Sequence, residues 1–433
     1  MHLQLATNLT GLSAYLPTFL SVAGGDRWKK RAVQLARDSI EPPFQDKIAA
    51  DYHWLELALS EQMIINEVFG RLVPERLTLR HVAALHFAGM VVEVYGHLSA
   101  KGRTSLEGRI RDALKAETGF ASLYLEMDIA LRLLGDGFDI EFPDLEGTAQ
   151  YDLRFFKGTT DGEVECKSLS ADAGRKIHRK DFYRFIDAIG PKIAQRAENG
   201  ANEVLVVTLE DRLPSDTAQQ NALRAAAIRM LADPNIGQFD GNFFTIVRDN
   251  YAGRLRAAAA KSQSEFYKAC SDDYGEDCHA SGAMTPDGGC LIVMRSHRAD
   301  DHSRPLLEAI KKAATQLSGK RPGFIAVQFD DITPADLVLA HLRRRAGILS
   351  YYLFHEYKAA HVAAAYFCVY GGLTASPGGL GTPAFAVPNP EFNFKQNENL
   401  PFLTSLPDED FARLVDAPPP AESISFIPID STK

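Results

Sequence analysis

The sequence predicts a mixed α/β protein that begins with a helical domain. Three observations lead to this prediction: apolar residues at helical spacing near the N-terminus, two adjacent strands with alternating apolar residues, and later strands separated by helical patterns. The length of 433 residues is enough for two or three domains. We therefore divide the chain into a helical accessory domain, a central core, a C-terminal α/β domain and a proline-rich tail: 1–116, 117–212, 213–387 and 388–433.

The N-terminal domain is predicted to be wholly helical. Residues 51–72 and 79–99 carry apolar side chains at helical spacing, and Pro42, Pro43 and Pro74 mark the connections. The histidines of this domain are interpreted as packing or surface residues, because no acid or cysteine partner repeats at metal-binding spacing. We interpret the domain as an accessory or oligomerisation domain.

The central core is predicted to contain a helix, three strands, a second helix and a fourth strand. The first helix, 120–134, has apolar residues on one face and is followed by glycines. The second helix starts at His178, has an apolar stripe up to Ile189, and is expected to break at Gly190 and Pro191. The four strands are predicted at 138–142, 151–156, 162–168 and 203–209.

The second and third of these strands carry charged residues. Asp152 lies on the second strand, and Glu165 and Lys167 lie on the third, with twelve residues between the two acids. Because side chains alternate along a strand, Glu163, Glu165 and Lys167 share one face while Cys166 faces the core. The turn-forming residues between the strands predict a hairpin that places Asp152 and Glu165 side by side.

Two carboxylates on neighbouring strands suit a magnesium ion. Mg²⁺ prefers oxygen ligands and usually takes one or two carboxylates together with substrate phosphate. A cation held in this way orients a water, lowers its pKa and neutralises charge on phosphorus, and a nearby lysine adds to that stabilisation. A second copy of the acid-x-lysine pattern, Glu356-Tyr357-Lys358, is predicted to end a helix, and we expect exposed residues without a catalytic role there.

The central core resembles the PD-(D/E)XK nuclease superfamily, which has the restriction-endonuclease-like fold. The resemblance covers about residues 117–210. It implies that Asp152 is the metal-binding aspartate, that Glu165 is the second acid, and that Lys167 is the lysine of the motif. It also implies that Glu126 is the acid of the first helix and a further metal ligand.

One departure from the family pattern leaves an alternative open. The family is named for a Pro-Asp pair, and the literal pair in this sequence is Pro143-Asp144, whereas Asp152 follows a tyrosine. Asp144 is therefore the alternative to Asp152. Gln195 lies where some members of the family place a polar helix residue that faces the site.

The helix after the hairpin is predicted to contact phosphate. Between residues 167 and 200 there are eight basic and four acidic side chains, in a chain whose formal net charge is −9. Lys176, Lys180 and Arg184 are four residues apart, which predicts a basic ridge on one helix face. The alternative is a solvated helix face without a ligand.

The remaining composition limits the compartment and the chemistry. The five cysteines fit no even disulfide framework, and the N-terminus lacks the pattern of a secretion signal, so a reducing cytoplasm is expected. The longest apolar stretch, 82–98, is too short and too polar to cross a membrane. Cys270, Cys278 and Cys290 lack the spacing of a zinc knuckle and are predicted to be thiols without a metal.

The C-terminal domain is predicted to be a second α/β unit, with a helix at 305–317. Its strands are predicted at 243–247, 290–294, 324–329 and 364–370.

The expected function is that of a metal-dependent nuclease that uses Mg²⁺ or Mn²⁺, with DNA favoured over RNA as the substrate. The resemblance suggests a setting in bacterial restriction or phage defence. A homodimer or a partner subunit is expected, because cutting both strands of a duplex favours two active sites. Two alternatives remain open: a nucleic-acid-binding or sensor module that keeps the fold without cutting, and a structural assembly protein.

Overall fold

A computed structural model provides the fold of the chain. It describes residues 3, 5–6, 8–38, 52–70, 77–116, 118–170, 172–250, 254–261, 263–275, 277–285, 288–330, 340–370, 374–376, 379–381, 384–392, 400–401 and 424–426. Within these ranges, no helix is both long enough and apolar enough to cross a membrane.

Helices and strands alternate irregularly along the chain. The helices are α1 (Leu9–Ala14), α2 (Leu16–Val22), α3 (Gly25–Asp38), α4 (Trp54–Phe69), α5 (Leu79–His97), α6 (Ala100–Ala113), α7 (Ala121–Gly135), α8 (Pro143–Glu146), α9 (Arg179–Glu198), α10 (Thr217–Ala232), α11 (Arg254–Lys261), α12 (Gln263–Tyr274), α13 (Ser303–Gln316) and α14 (Ala340–Glu356). The strands are β1 (Asp139–Glu141), β2 (Leu153–Lys157), β3 (Thr160–Ser170), β4 (Asn202–Leu209), β5 (Gln238–Asp240), β6 (Phe244–Asn250), β7 (His279–Met284), β8 (Gly289–Ser296), β9 (Gly323–Asp330), β10 (Val362–Val369), β11 (Thr374–Ser376), β12 (Gly379–Gly381), β13 (Ala384–Pro388) and β14 (Ile424–Phe426).

These elements form two compact units, each assembled from separate parts of the chain. The first unit comprises Met1–Asp38, Ala49–Ala171 and Ser303–Ala417. The second comprises Ser39–Ile48, Asp172–His302 and Pro418–Lys433. Most of the second unit is therefore inserted between β3 and α13 of the first.

The first unit is built on a six-stranded mixed sheet in the order β1-β2-β3-β9-β10-β13. β1, β2 and β3 are antiparallel neighbours, whereas β9 is parallel to both β3 and β10. Parallel neighbours need a crossover segment, and helices α13 and α14 precede β9 and β10 respectively. The mixed α/β class predicted from the sequence is confirmed.

Both faces of this sheet are buried, which explains the nearly continuous apolar runs of β9 and β10. Phe324 and Ala326 of β9 lie in a core that includes residues of α2 to α7. Their neighbours on the strand, Ile325 and Val327, point to the opposite face and lie in a core with residues of α13 and α14. The unit is therefore a sheet between two helical layers.

The second unit has its own six-stranded sheet, in the order β14-β7-β8-β4-β6-β5. Helices α9 and α10 bury their apolar faces in a core on one side of this sheet, and α11 and α12 contribute to a core on the other side. Its strands therefore form a sheet separate from that of the first unit.

Two elements that the resemblance assigns to the nuclease core lie in the other unit of the fold. Helix α9 and strand β4 were expected to complete the sheet that carries Asp152 and Glu165, but both lie in the second unit. The partners of β3 in its own unit are β9, which is parallel to it, and α13, which packs against it. Sequence order misled the prediction, because an insertion separates β3 from the helix and strand that cover it.

A second correction concerns α9, which continues through Pro191 as one helix to Glu198. A proline inside a helix removes one backbone hydrogen bond but does not always end the helix. The apolar stripe continues beyond the proline, with Ile189 and Ile193 both fully buried in the same core, and this burial explains why the helix persists.

The predicted tail, 388–433, lies largely outside the described residues. Within it, β14 is described and pairs in parallel with β7. The second acid-x-lysine copy lies where the sequence predicted, since α14 ends at Glu356.

Candidate active site

Asp152 and Glu165 come together through the hairpin of β2 and β3. The two strands are antiparallel, with Leu153 opposite Val164, and continuing this register by one residue places Asp152 opposite Glu165. The turn between the strands contains Gly158 at a φ of 59°, a backbone conformation that glycine adopts without strain. The backbone N–H of Cys166 donates a hydrogen bond of 2.8 Å to Oδ2 of Asp152, which fixes this carboxylate beside β3.

Glu165 is almost completely buried, with 1 % of its surface exposed. Strand β3 is an inner strand between β2 and β9, and helix α13 packs against it. Oε1 of Glu165 accepts a hydrogen bond from Nζ of Lys167. Its other oxygen, Oε2, is buried, and within the described part of the chain no donor meets it with hydrogen-bond geometry. The backbone N–H of Asp152 is close enough to the Glu165 carboxyl to lower its pKa, but it does not offset the effect of burial. A buried carboxylate oxygen without a donor is unusual and costs free energy.

Lys167 is held by two side chains. Its Nζ contacts Glu165 and also donates a hydrogen bond of 2.7 Å to Oε1 of Gln316, the last residue of α13. The amide nitrogen of Gln316 in turn donates to the backbone oxygen of Gln150 at 3.2 Å. The ammonium group is therefore fixed beside Glu165. The resemblance suggested Gln195 as a polar helix residue that faces the site, but Gln195 lies in the second unit. The polar helix residue that contacts Lys167 is Gln316 of α13.

Glu126 is buried in α7 and contacts an arginine that the sequence analysis missed. Its Oε2 accepts a hydrogen bond of 2.6 Å from Arg109 of α6. The other terminal nitrogen of Arg109 forms an ion pair with Asp144. Asp144, the alternative to Asp152, is therefore the partner of an arginine next to the site.

The three buried acids have raised pKa values because burial disfavours their charged forms. Burial, together with the charge of Asp152, raises the pKa of Glu126 to about 8, against the opposing effect of Arg109. Burial and the charge of Asp152 raise the pKa of Glu165 to about 7. Burial also raises the pKa of Asp152, although the Cys166 N–H, Arg109 and Lys167 oppose this shift. Raised pKa values of several neighbouring acids are typical of functional sites.

The residues present fit a divalent cation in part. Oε2 of Glu165 lacks a donor, and the oxygen donors of Asp152 and Glu165 are of the type that Mg²⁺ prefers. However, Glu126, Asp152 and Glu165 are not a group whose ligand atoms all lie within 4.8 Å of one another. Asp152 and Glu165 lie opposite each other on one hairpin and are the better supported pair of ligands, and at least one of the three side chains has to shift for all three to bind one cation.

Glu163, two residues before Glu165 on the same face of β3, has a different environment. Its carboxylate accepts hydrogen bonds from the N–H of Ser318 at 2.8 Å, from the hydroxyl of Ser318 at 2.5 Å and from Arg321 at 3.0 Å. Glu163 is fully buried. These donors satisfy the carboxylate and connect β3 to the segment that leads into β9, so Glu163 has a structural role.

The three residues predicted to bind nucleic acid all belong to the second unit. Lys176 precedes the first residue of α9, so it does not extend the helical face shared by Lys180 and Arg184. Lys176 forms a 2.9 Å ion pair with Asp211, and the guanidinium of Arg184 is 3.4 Å from Asp181. The ridge is thus shorter than predicted and partly neutralised, and its binding of nucleic acid stays a prediction.

A second group of metal-binding side chains occurs in the second unit. Asp277, Asp300 and His302 place one ligand atom each within 4.8 Å of the others. The carboxylate of Asp300 already accepts a hydrogen bond of 2.6 Å from the backbone N–H of Lys176. Experiments on metal binding therefore need a variant that disables this group. The five cysteines are buried free thiols.

The fold and the site define a mixed α/β protein with a cluster of buried acids, one of which is bonded to a lysine. Comparison of the chain with protein-family models, with curated proteins and with solved structures finds no match. The function is therefore inferred from the residues and their contacts.

Proposed function

We propose that this protein is a metal-dependent nuclease that hydrolyses phosphodiester bonds of nucleic acid, with DNA as the expected substrate. The observation that carries the proposal is the buried set of Asp152, Glu165 and Lys167, in which one oxygen of Glu165 has no donor among the described residues. A divalent cation supplies the missing partner. Mg²⁺ or Mn²⁺ is the expected cofactor.

The order of elements supports the resemblance to PD-(D/E)XK nucleases. Helix α7 brings Glu126, β2 follows Asp152, and β3 brings Glu165 and Lys167. Helix α13 and strand β9 then complete this part of the sheet after the inserted unit. The resemblance suggests a bacterial restriction or phage-defence role in the cytoplasm, and a dimer remains the expected assembly for cutting a duplex.

Each residue has a role that follows from its contacts. Asp152 and Glu165 bind the cation, and the Cys166 N–H keeps Asp152 oriented toward β3. Lys167, held by Gln316, places a positive charge where negative charge develops on the phosphate oxygens. When bound, the cation supplies a more acidic water and neutralises the phosphate. Burial of the acids excludes bulk water and strengthens these electrostatic interactions.

A second candidate function is a nucleic-acid-binding or sensor module that does not cut. The observation that favours it is that the ligand atoms of Glu126, Asp152 and Glu165 do not all lie within 4.8 Å of one another. An intact set of two acids and a lysine argues against this alternative.

A cleavage assay tests the proposal. Labelled duplex DNA, single-stranded DNA and RNA are incubated with the full-length protein and Mg²⁺ or Mn²⁺, beside Asp152→Ala and Lys167→Ala. We expect each variant to cleave about 10²–10³-fold more slowly while its circular dichroism spectrum is unchanged. Cleavage unaffected by either substitution would refute the site assignment. Absence of cleavage on all substrates would favour the binding module.

A further inference from the structure

Arg109 links two acids at the edge of the proposed site. One of its terminal nitrogens lies 2.6 Å from Oε2 of Glu126, and the other pairs with Asp144. The side chain of Glu126 is 7 % exposed, whereas that of Arg109 is 30 % exposed. The buried acid of α7 is therefore bonded to a guanidinium that is partly accessible to solvent.

With every carboxylate ionised, the site has an excess of two negative charges, which is the charge that one divalent cation balances. The four carboxylates of Glu126, Asp144, Asp152 and Glu165 face two cations, Arg109 and Lys167. In the metal-free site, protons on Glu126 and Glu165 offset part of this excess, because their pKa values are raised to about 8 and about 7. The positive charge of Arg109 opposes the raised pKa values of both Glu126 and Asp152, so its influence extends beyond its direct contact.

The geometry shows what metal binding requires of Glu126. The ligand atoms of Glu126, Asp152 and Glu165 do not all lie within 4.8 Å of one another, so at least one of these side chains has to move for all three to bind one cation. Asp152 and Glu165 lie opposite each other on one hairpin, whereas Glu126 is bonded to Arg109 of another helix, so we expect Glu126 to be the one that moves. Such a movement weakens or breaks its bond to Arg109. Asp144 then keeps the guanidinium in place, because the two acids bind different nitrogens of the same group.

We propose that Arg109 is a positioning residue that takes the place of the divalent cation as the partner of Glu126 in the metal-free site. When the cation binds, Arg109 releases Glu126 and Glu126 becomes a ligand of the cation. This inference rests on the proposed function. It assigns Asp144 a role as well: Asp144 anchors Arg109 in both states. An arginine suits this task because its planar group can hold two carboxylates at once, which a lysine does less well.

The test measures the coupling between Arg109 and metal binding without any nucleic acid. All proteins carry His302→Ala, so that the Asp277–Asp300–His302 group does not contribute. The melting temperature is measured in EDTA and in increasing Mn²⁺ for the parent, for Arg109→Gln, for Glu126→Gln and for the double variant. Mn²⁺ affinity is measured by calorimetry on the same proteins.

We expect Arg109→Gln to lower the melting temperature in EDTA, because Glu126 loses its partner, and Mn²⁺ to restore it. The metal-induced rise in melting temperature is then larger than in the parent, and Mn²⁺ binds about tenfold more tightly because a competing positive charge is gone. In the Glu126→Gln background, removing Arg109 has a much smaller effect on both quantities. If Arg109→Gln does not fold, Arg109→Lys is expected to show the same changes in weaker form.

Three outcomes would overturn the inference. The first is an equal loss of melting temperature in EDTA and in Mn²⁺, which indicates a merely structural ion pair. The second is weaker Mn²⁺ binding by Arg109→Gln, and the third is no Mn²⁺ binding by the parent. If Arg109 and Mn²⁺ binding are coupled but no substrate is cleaved, the nuclease proposal is refuted and this inference stands. If cleavage depends on Asp152 but Arg109 and Mn²⁺ binding are not coupled, only this inference is refuted.

Discussion

Two buried glutamates, two residues apart on one face of β3, have opposite environments. Glu163 accepts three hydrogen bonds, from Ser318 and Arg321, and is fully buried. Glu165 is buried to nearly the same extent but has a lysine on one oxygen and, among the described residues, no partner on the other. Burial alone therefore does not distinguish a structural acid from a functional one. The donors around the carboxylate make that distinction.

The free-energy costs of the two sites differ accordingly. A buried charge that is fully paired and hydrogen-bonded is tolerated within the fold, whereas an incompletely satisfied one raises the free energy of the folded state. At Glu165 this cost appears as a pKa raised to about 7 by burial and by Asp152. A protein retains such an unfavourable group where a ligand relieves it, and the proposed divalent cation is such a ligand for Glu165.

The largest expected effect is a difference in cleavage rate between substitutions of the two acids. Glu165→Gln should lower the rate of nucleic-acid cleavage by about 10³-fold, because the amide cannot serve as an anionic ligand. Glu163→Gln is the matched control, with the same chemical change on the same strand, and is expected to cleave within about threefold of the parent at a temperature where it is folded. Equal losses of cleavage rate in both variants would mean that the hydrogen-bond donors around a buried glutamate do not distinguish the functional acid from the structural one.

The same two substitutions should affect the free energy of unfolding in the opposite order, with the larger loss for Glu163→Gln. Glu163→Gln is expected to lower the free energy of unfolding by about 1–3 kcal/mol, because the N–H and O–H of Ser318 and the guanidinium of Arg321 lose their anionic acceptor. Glu165→Gln is expected to leave it unchanged or to raise it at pH 8 in EDTA. Urea denaturation measures both, and a larger loss for Glu165→Gln would contradict the comparison.

A smaller effect is expected for the residue that positions Lys167. Gln316→Ala removes the 2.7 Å hydrogen bond to the ammonium group but no proposed metal ligand. We expect a reduction in cleavage rate of about tenfold, with unchanged Mn²⁺ affinity. Gln195→Ala, in the second unit, is the control and should have no effect. If Gln316→Ala also weakens Mn²⁺ binding, Gln316 acts on the cation site and not through Lys167.

The last prediction concerns the dependence of stability on pH. In the folded, metal-free protein the pKa of Glu126 is raised from 4.5 to about 8, so the folded state keeps a proton that the unfolded chain releases. This contribution to stability is fully present below about pH 4.5 and is lost as the pH rises toward 8. The melting temperature of Glu126→Gln minus that of the parent, measured in EDTA, should therefore increase from pH 5 to pH 8. A difference that is constant or decreases over this range would contradict the raised pKa.

Local sequence patterns predicted the central residues of the site because those residues are close together in the chain. Asp152, Glu165 and Lys167 lie on one hairpin, and the alternation of a strand is enough to place them. The helix that carries Glu126 was predictable from its apolar spacing. The first helix, the three strands that follow it and the buried strands β4, β9 and β10 were also predicted close to their observed bounds.

The residues that complete the site come from distant parts of the chain. Arg109 lies on the helix before α7, where nothing in its spacing marks a partner for Glu126. Gln316 follows an insertion of more than one hundred residues, and the sequence does not show that α13 and β9, and not α9 and β4, cover β3. Likewise, alternation placed Glu163 and Glu165 on one face, but their different partners depend on Ser318 and Arg321, which are far away in sequence.

The most direct test of the account is a calorimetric titration of Mn²⁺ into the full-length protein, with His302→Ala present to disable the second group. The parent, Glu165→Gln and Glu163→Gln are compared at pH 7.5. The account predicts one bound cation for the parent and for Glu163→Gln, and no binding to Glu165→Gln. Binding retained by Glu165→Gln, or lost in Glu163→Gln while that variant remains folded, would contradict the assignment of Glu165 as a metal ligand.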